Sequence, residues 1–174
     1  MVDVAKNLLA IKAQLPEGVE LTAVSKFHPD EYITAAYNVG QRIFGESHEQ
    51  ELARKAASLP KDIHWHFIGH LQTNKVKYIA PYISMIESVD SIRLLREIEK
   101  QGARCGRRIR VLLELHIAEE ATKYGLTPDD CRSLLADGEW QQLEHVEICG
   151  LMMMASHTDD HDQIAREMDS AHSF

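Results

Sequence analysis

The chain has 174 residues, 44% hydrophobic and 26% charged, and its 27 acidic against 19 basic side chains give a net charge of −8. That length suits one domain with a sizeable core, and the composition excludes a disordered or collagen-like chain. The acidic balance argues against salt-driven nucleic-acid binding and against docking on an anionic membrane. No run approaches the ~18 apolar residues of a membrane span, and the first residues lack the apolar stretch of a signal peptide. Three widely spaced cysteines, Cys105, Cys131 and Cys149, make a poor disulfide framework and a poor zinc site. The expected compartment is a reducing cytoplasm.

An amphipathic helix opens the chain, with Val4, Leu8, Ile11 and Leu15 at helical spacing and Pro16 and Gly18 as its stop. Residues 20–26 then read as a strand. Pro29 starts a second helix with Asp30 and Glu31 in its first turn, where the helix dipole favours acids, and Gly40 ends it. The unit repeats: a strand at 42–45 and a helix through Leu52 and Ala56; a strand at 63–69 and a helix around Val76 and Ile79. A strand at 83–89 precedes a helix capped by Asp90, carrying Ile92, Leu95 and Ile98 and ending before Gly102. Strands at 109–115 and 145–151 are followed by helices through Leu134 and Met168.

Strict strand–helix alternation means a parallel sheet with helices on its faces, closed as a barrel or left open and doubly wound. No G-x-G-x-x-G and no G-x-x-x-x-G-K-[ST] supports a nucleotide-binding open sheet. A (β/α)8 barrel takes eight strands, and the sequence supplies six units before stopping at Phe174 within a helical pattern. The expectation is one α/β barrel domain over 1–174 that is short of two strands, with exposed sheet edges as an aggregation hazard.

Five groups of residues are candidates for chemistry. Lys26 ends the first strand on the face of Thr22 and Val24; among apolar groups its amine would lose solvation and become a nucleophile for aldehydes, whereas at an open strand end it is a solvated lysine. His64 and His66 share a strand face, as in an H-x-H metal pair or as a pocket wall. Residues 69–75 form a turn into a helix, where Thr73 or Asn74 can cap and a phosphate could sit. Ser47 can bind a ligand or, with Gln50 three residues on, form a capping box. Met152, Met153 and Met154 follow the sixth strand as core filler or as a wall for a flat ring.

Ala23-Val24-Ser25-Lys26, Gly40-Gln41-Arg42-Ile43-Phe44-Gly45-Glu46 and residues 65–75 (WHFIGHLQTNK) together resemble the pyridoxal phosphate homeostasis family (the YggS/PROSC family). Ser88-Val89-Asp90, Lys123-Tyr124-Gly125 and Gly150-Leu151-Met152 extend the likeness over nearly the whole chain. The resemblance implies a barrel of the alanine racemase N-terminal domain type. It implies pyridoxal 5'-phosphate (PLP) held as a Schiff base on Lys26, with Ser47, His66 and Met152 as pocket residues. It further implies a PLP carrier without catalytic turnover, whose partners are amines or PLP-dependent enzymes and whose state is monomer or weak dimer. Three departures stand out: Ser47 replaces the family's usual Asn, Leu115-His116-Ile117 replaces V-N-I, and the S-M-G-M-S and R-x-G-T segments that build much of the phosphate cup are absent. The alternatives are a racemase-like PLP enzyme of fold type III and a barrel-fold metal-dependent hydrolase using His64 and His66.

Overall fold

A computed structural model describes residues 2–117 and 124–174, so Lys123 lies outside the described residues. Helix α1 (Val4–Lys12) starts where the Asp3 carboxylate accepts the Lys6 N–H at 3.0 Å, and it ends short of Leu15. Strand β1 is only Ala23–Val24, much shorter than 20–26, because on the edge of the sheet it finds one partner and pairs at Ala23–Phe44 and Val24–Gly45. Then come α2 (Asp30–Asn38), β2 (Ile43–Glu46), α3 (Glu49–Ser58) and β3 (His64–Phe67). A 3-10 turn over Thr73–Lys75 leads into the single-turn α4 (Val76–Ile79). Neither Thr73 nor Asn74 caps it: both lie inside the 3-10 turn, and the residue at the helix start is Lys75, which makes no side-chain cap bond.

Strand β4 (Met85–Val89) is followed by α5 (Ile92–Cys105), whose cap is Ser91 rather than Asp90: the Ser91 Oγ accepts the Leu94 N–H at 3.3 Å. Gly102 does not end this helix. It lies inside, where a Cβ would come within 2.8 Å of the Arg107 carbonyl and 2.9 Å of the His145 side chain, so glycine serves close packing there. The left-handed residue that closes the helix is Gly106, at φ 61°. Strand β5 (Ile109–Leu115), helix α6 (Pro128–Asp137), strand β6 (Val146–Met153) and helix α7 (His161–His172) complete the chain. Met152 and Met153 therefore belong to the sixth strand instead of following it.

The sheet runs β1-β2-β3-β4-β5-β6 with every neighbouring pair parallel. A doubly wound sheet reverses its order part-way; here each strand adds to the same side of its predecessor. Right-handed crossovers advancing in one direction put every helix on one face, which is how a barrel is wound. The residues alternate accordingly. Phe44, Trp65, Phe67, Ile86 and Val111 share one face by register and are buried beneath the helices, with the Phe44 and Trp65 rings 6.0 Å apart. Each such side chain contributes roughly 1.5–3 kcal/mol by leaving water. Gly45, His66, Met85 and Arg110 share the opposite, inner face.

Candidate functional site

The C-terminal ends of β1, β2 and β3 lie side by side, so the turns that follow them meet at one rim. Val24 pairs with Gly45, and Gly45 with His66. Lys26 and Ser47 each stand two residues past a paired position, and His66 lies one layer lower on the inner face. Gly45 permits this crowding: a Cβ there would come within 3.1 Å of Ile68 and 3.2 Å of Thr22. Met152 pairs with Glu114 on the far side of the sheet, so strand pairing alone does not bring it to Lys26.

Lys26 sits in a turn where the His28 N–H donates to the Ser25 carbonyl at 3.1 Å. Its side chain is exposed and makes no hydrogen bond or ion pair among the described residues, so of the two readings of the strand pattern the solvated strand-end lysine is the one the structure shows. The next residue, Phe27, has φ 64°, a left-handed conformation that a bulky side chain adopts only at a cost. Its N–H donates to Glu51 at 2.9 Å, and its ring lies 5.4 Å from that of His48.

Below this turn lies a fully buried lysine. Lys55 Nζ donates to the Ser25 carbonyl at 2.7 Å, to Glu46 Oε1 at 2.8 Å and to Glu51 Oε1 at 2.7 Å, which uses all three ammonium donors. The Ser25 hydroxyl donates to the same Glu46 oxygen at 2.6 Å. Burial works to raise the Glu51 carboxyl, but the hydrogen bonds from Lys55 and the Phe27 N–H outweigh it and hold the group below the usual carboxylate range.

Ser47 does not cap α3. His48 occupies that position and makes no side-chain cap bond, so the Ser47 hydroxyl is not committed to the helix. Ser47 instead lines a cleft of about 300 Å³ with His48, Gly69, His70 and Gln72. Gly69 makes the cleft's wall close-packed, since a Cβ there would fall 2.7 Å from the Ser47 carbonyl oxygen. On the inner face, His66 Nδ1 lies 2.6 Å from Glu87 Oε1. His64 shares that face but sits exposed at the other end of its strand. Among the described residues no three His, Cys, Asp or Glu side chains converge as metal ligands, and no helix is long and apolar enough to cross a membrane. Glu114, buried at the end of β5, carries one oxygen without a hydrogen bond. Burial raises its carboxyl above the usual range, the Asp90 charge adds to the rise and His116 opposes it.

The arrangement offers an amine without a partner among the described residues, a hydroxyl after the neighbouring strand on the same rim, and a histidine–carboxylate pair one layer down. That set suits an aldehyde-bearing ligand with a polar ring. The sequence matches the family described as alanine racemase, N-terminal domain, over residues 2–174. The chain belongs to that family.

Within the family the chain is similar to proteins named pyridoxal phosphate homeostasis protein. It is 36% identical over 140 residues to that of Schizosaccharomyces pombe, covering 79% of this chain and 58% of the relative. It is 35% identical over 147 residues to that of Aquifex aeolicus, covering 83% of this chain and 63% of the relative. The chain thus spans about three fifths of the length of these curated relatives. Among solved structures, PipY of Synechococcus elongatus without PLP superposes with a TM-score of 0.91 at 34% identity, over 98% of this chain and 79% of PipY. PipY with PLP bound gives a TM-score of 0.80 at 32% identity, over 98% of this chain and 84% of PipY. An alanine racemase of Streptomyces lavendulae shares the fold alone, at 19% identity and a TM-score of 0.81, over 98% of this chain and 46% of the racemase.

Two side-chain groupings around this rim escape a reading of the sequence. Glu87 is the one charged residue of its strand, and alternation from Met85, the register partner of His66, is the signal that could have found it. Glu46, Glu51 and Lys55 carry no sequence signal of a shared role, since charged residues on a short strand and a helix are ordinarily solvated; only the fold shows that Lys55 points inward.

Proposed function

We propose that the chain binds PLP reversibly through Lys26 and acts as a cytoplasmic carrier in PLP homeostasis, without catalytic turnover. The observation that carries this reading is the Lys26 amine just past the C-terminal end of β1, exposed and unpartnered among the described residues, in a chain 32% identical to PipY, whose structure has been solved with PLP bound. When bound, PLP supplies an aldehyde carbon at which a neutral amine forms a C=N bond as water leaves. The chain's own residues do the rest. The turn at Ser25–His28 holds Lys26 at the rim. Ser47 offers a hydroxyl that donates or accepts a hydrogen bond there. His66, oriented by Glu87, offers its second ring nitrogen to the inner face, and Met152 supplies an apolar surface from β6. Exposure of Lys26 favours exchange over permanent capture, which suits delivery to amines or to PLP-dependent enzymes.

Adding PLP to the chain should produce a visible Schiff-base absorption band. Lys26→Ala should abolish the band while leaving the circular dichroism spectrum intact. Persistence of the band in that variant would remove Lys26 from the reading. Because His66 and Glu87 form an acid–base pair on the inner face, the racemase-like alternative is tested separately: α-hydrogen exchange of amino acids in heavy water by the PLP-loaded chain would overturn the carrier role.

A further inference from the structure

We propose that Glu46, Glu51 and Lys55 are positioning residues that hold the turn around Lys26 in the conformation from which its amine captures an aldehyde. This inference rests on the assignment of Lys26 as the PLP-binding lysine.

The geometry is specific to the two neighbours of Lys26. Ser25 is tied through both its carbonyl, to Lys55 at 2.7 Å, and its hydroxyl, to Glu46 at 2.6 Å. Phe27 is tied through its N–H to Glu51 at 2.9 Å. Lys55 joins the two carboxylates, at 2.8 Å and 2.7 Å, so the ties on either side of Lys26 form one connected network. Among the described residues the Lys26 side chain makes no hydrogen bond or ion pair that would fix its backbone. The network adds to sparse backbone ties: β1 is an edge strand of two residues, and beyond Val24 the backbone is held by the Ser25 N–H to the Gly45 carbonyl at 2.9 Å and the His28 N–H to the Ser25 carbonyl at 3.1 Å.

Phe27 shows what the network holds in place. At φ 64° a phenylalanine is in a region that type II turns reserve for their third residue and normally fill with glycine or asparagine. A glycine there would leave the turn free to sample other conformations. Phenylalanine held by the Glu51 hydrogen bond gives the same turn with fewer alternatives, so the Lys26 side chain leaves the rim in one direction. The capture step itself is ordinary: the neutral Nζ adds to the aldehyde carbon, the two hydrogens on nitrogen leave with the aldehyde oxygen as water, and a C=N bond remains.

The test compares the unmodified chain with Glu51→Ala, which removes the acceptor for the Phe27 N–H, and with Glu51→Gln, which keeps an acceptor oxygen. Glu51 is partly exposed and on a helix surface, so both variants retain the hydrophobic core. Two readouts are taken: amide hydrogen exchange at Phe27, and the share of borohydride-trapped PLP found on Lys26 by peptide mass spectrometry over a range of pH. A hydrogen bond to a charged group corresponds to about tenfold or more in an equilibrium. Glu51→Ala should therefore speed Phe27 exchange about tenfold and lower Lys26 labelling by a similar factor at every pH, with label spreading to other lysines; Glu51→Gln should recover most of both. Should Glu51→Ala fail to fold, Ser25→Ala, which cuts the hydroxyl tie to Glu46, is expected to give a smaller loss of the same kind. Labelling of Lys26 in Glu51→Ala or Ser25→Ala equal to that of the unmodified chain overturns the positioning role. Label on another lysine in the unmodified chain instead overturns the assignment of Lys26, and is seen before any variant is made.

Discussion

Replacing Lys55 by methionine tests how much of the rim depends on one buried charge. The Lys55 and Glu46 side chains are both 0% exposed. Methionine keeps most of the lysine's length, so the change removes the charge and three hydrogen bonds without opening a large cavity. Glu46 would be left with a single donor, the Ser25 hydroxyl, and its Oε2 already lacks a partner. Breaking a buried ion pair from one side costs about 3–5 kcal/mol, because the remaining charge stays buried without compensation. For a chain of this size each kcal/mol moves the midpoint by about 2–4 °C, so Lys55→Met should lower Tm by about 6–20 °C. Urea denaturation followed by circular dichroism measures the free energy directly. The double variant Glu46→Gln with Lys55→Met should recover most of the loss, since no fully buried charge then remains in the network and Glu51, 19% exposed, keeps water and the Phe27 N–H. A loss below about 1 kcal/mol for Lys55→Met alone, or no recovery in the double variant, would refute the argument that an uncompensated Glu46 is what the variant exposes.

Two further predictions follow from buried polar groups without partners. The Glu114 carboxyl is raised by burial and by Asp90, so the folded chain holds that proton more tightly than the unfolded one. Its contribution to stability is fully present below the ordinary carboxylate pKa and is lost as pH rises through the raised value. Glu114→Gln should therefore stabilise the chain at roughly pH 7.5, with a gain that shrinks toward roughly pH 4, read from urea midpoints at the two pH values; an unchanged midpoint at the higher pH would count against this. The Tyr82 hydroxyl is buried without a hydrogen bond among the described residues, and burial, helped by the Glu49 charge, pushes its pKa up to about 12. Tyr82→Phe should raise stability by about 1 kcal/mol by removing an unsatisfied group, and a lower Tm would show that the hydroxyl does find a partner.

The order of elements was legible in the residues alone, because apolar spacing and the Gly and Pro punctuation act over a few residues. It also marked Lys26, Ser47, His66 and Met152 through their likeness to a known family. It misplaced Asp90 and Gly102, since Ser91 and Gly106 lie one to four residues away and are equally good helix signals. Only the tertiary structure decided that the strands advance in one direction as an arc of barrel, because register and handedness depend on pairs of residues far apart in the chain. The same holds for the charge of Lys55. An i,i+4 pair with Glu51 belongs on a solvated helix face by sequence alone, and it is the approach of α3 to the outer side of β1 and β2 that turns that face inward, removes the water and leaves Ser25, Glu46 and Glu51 as the acceptors for its ammonium group.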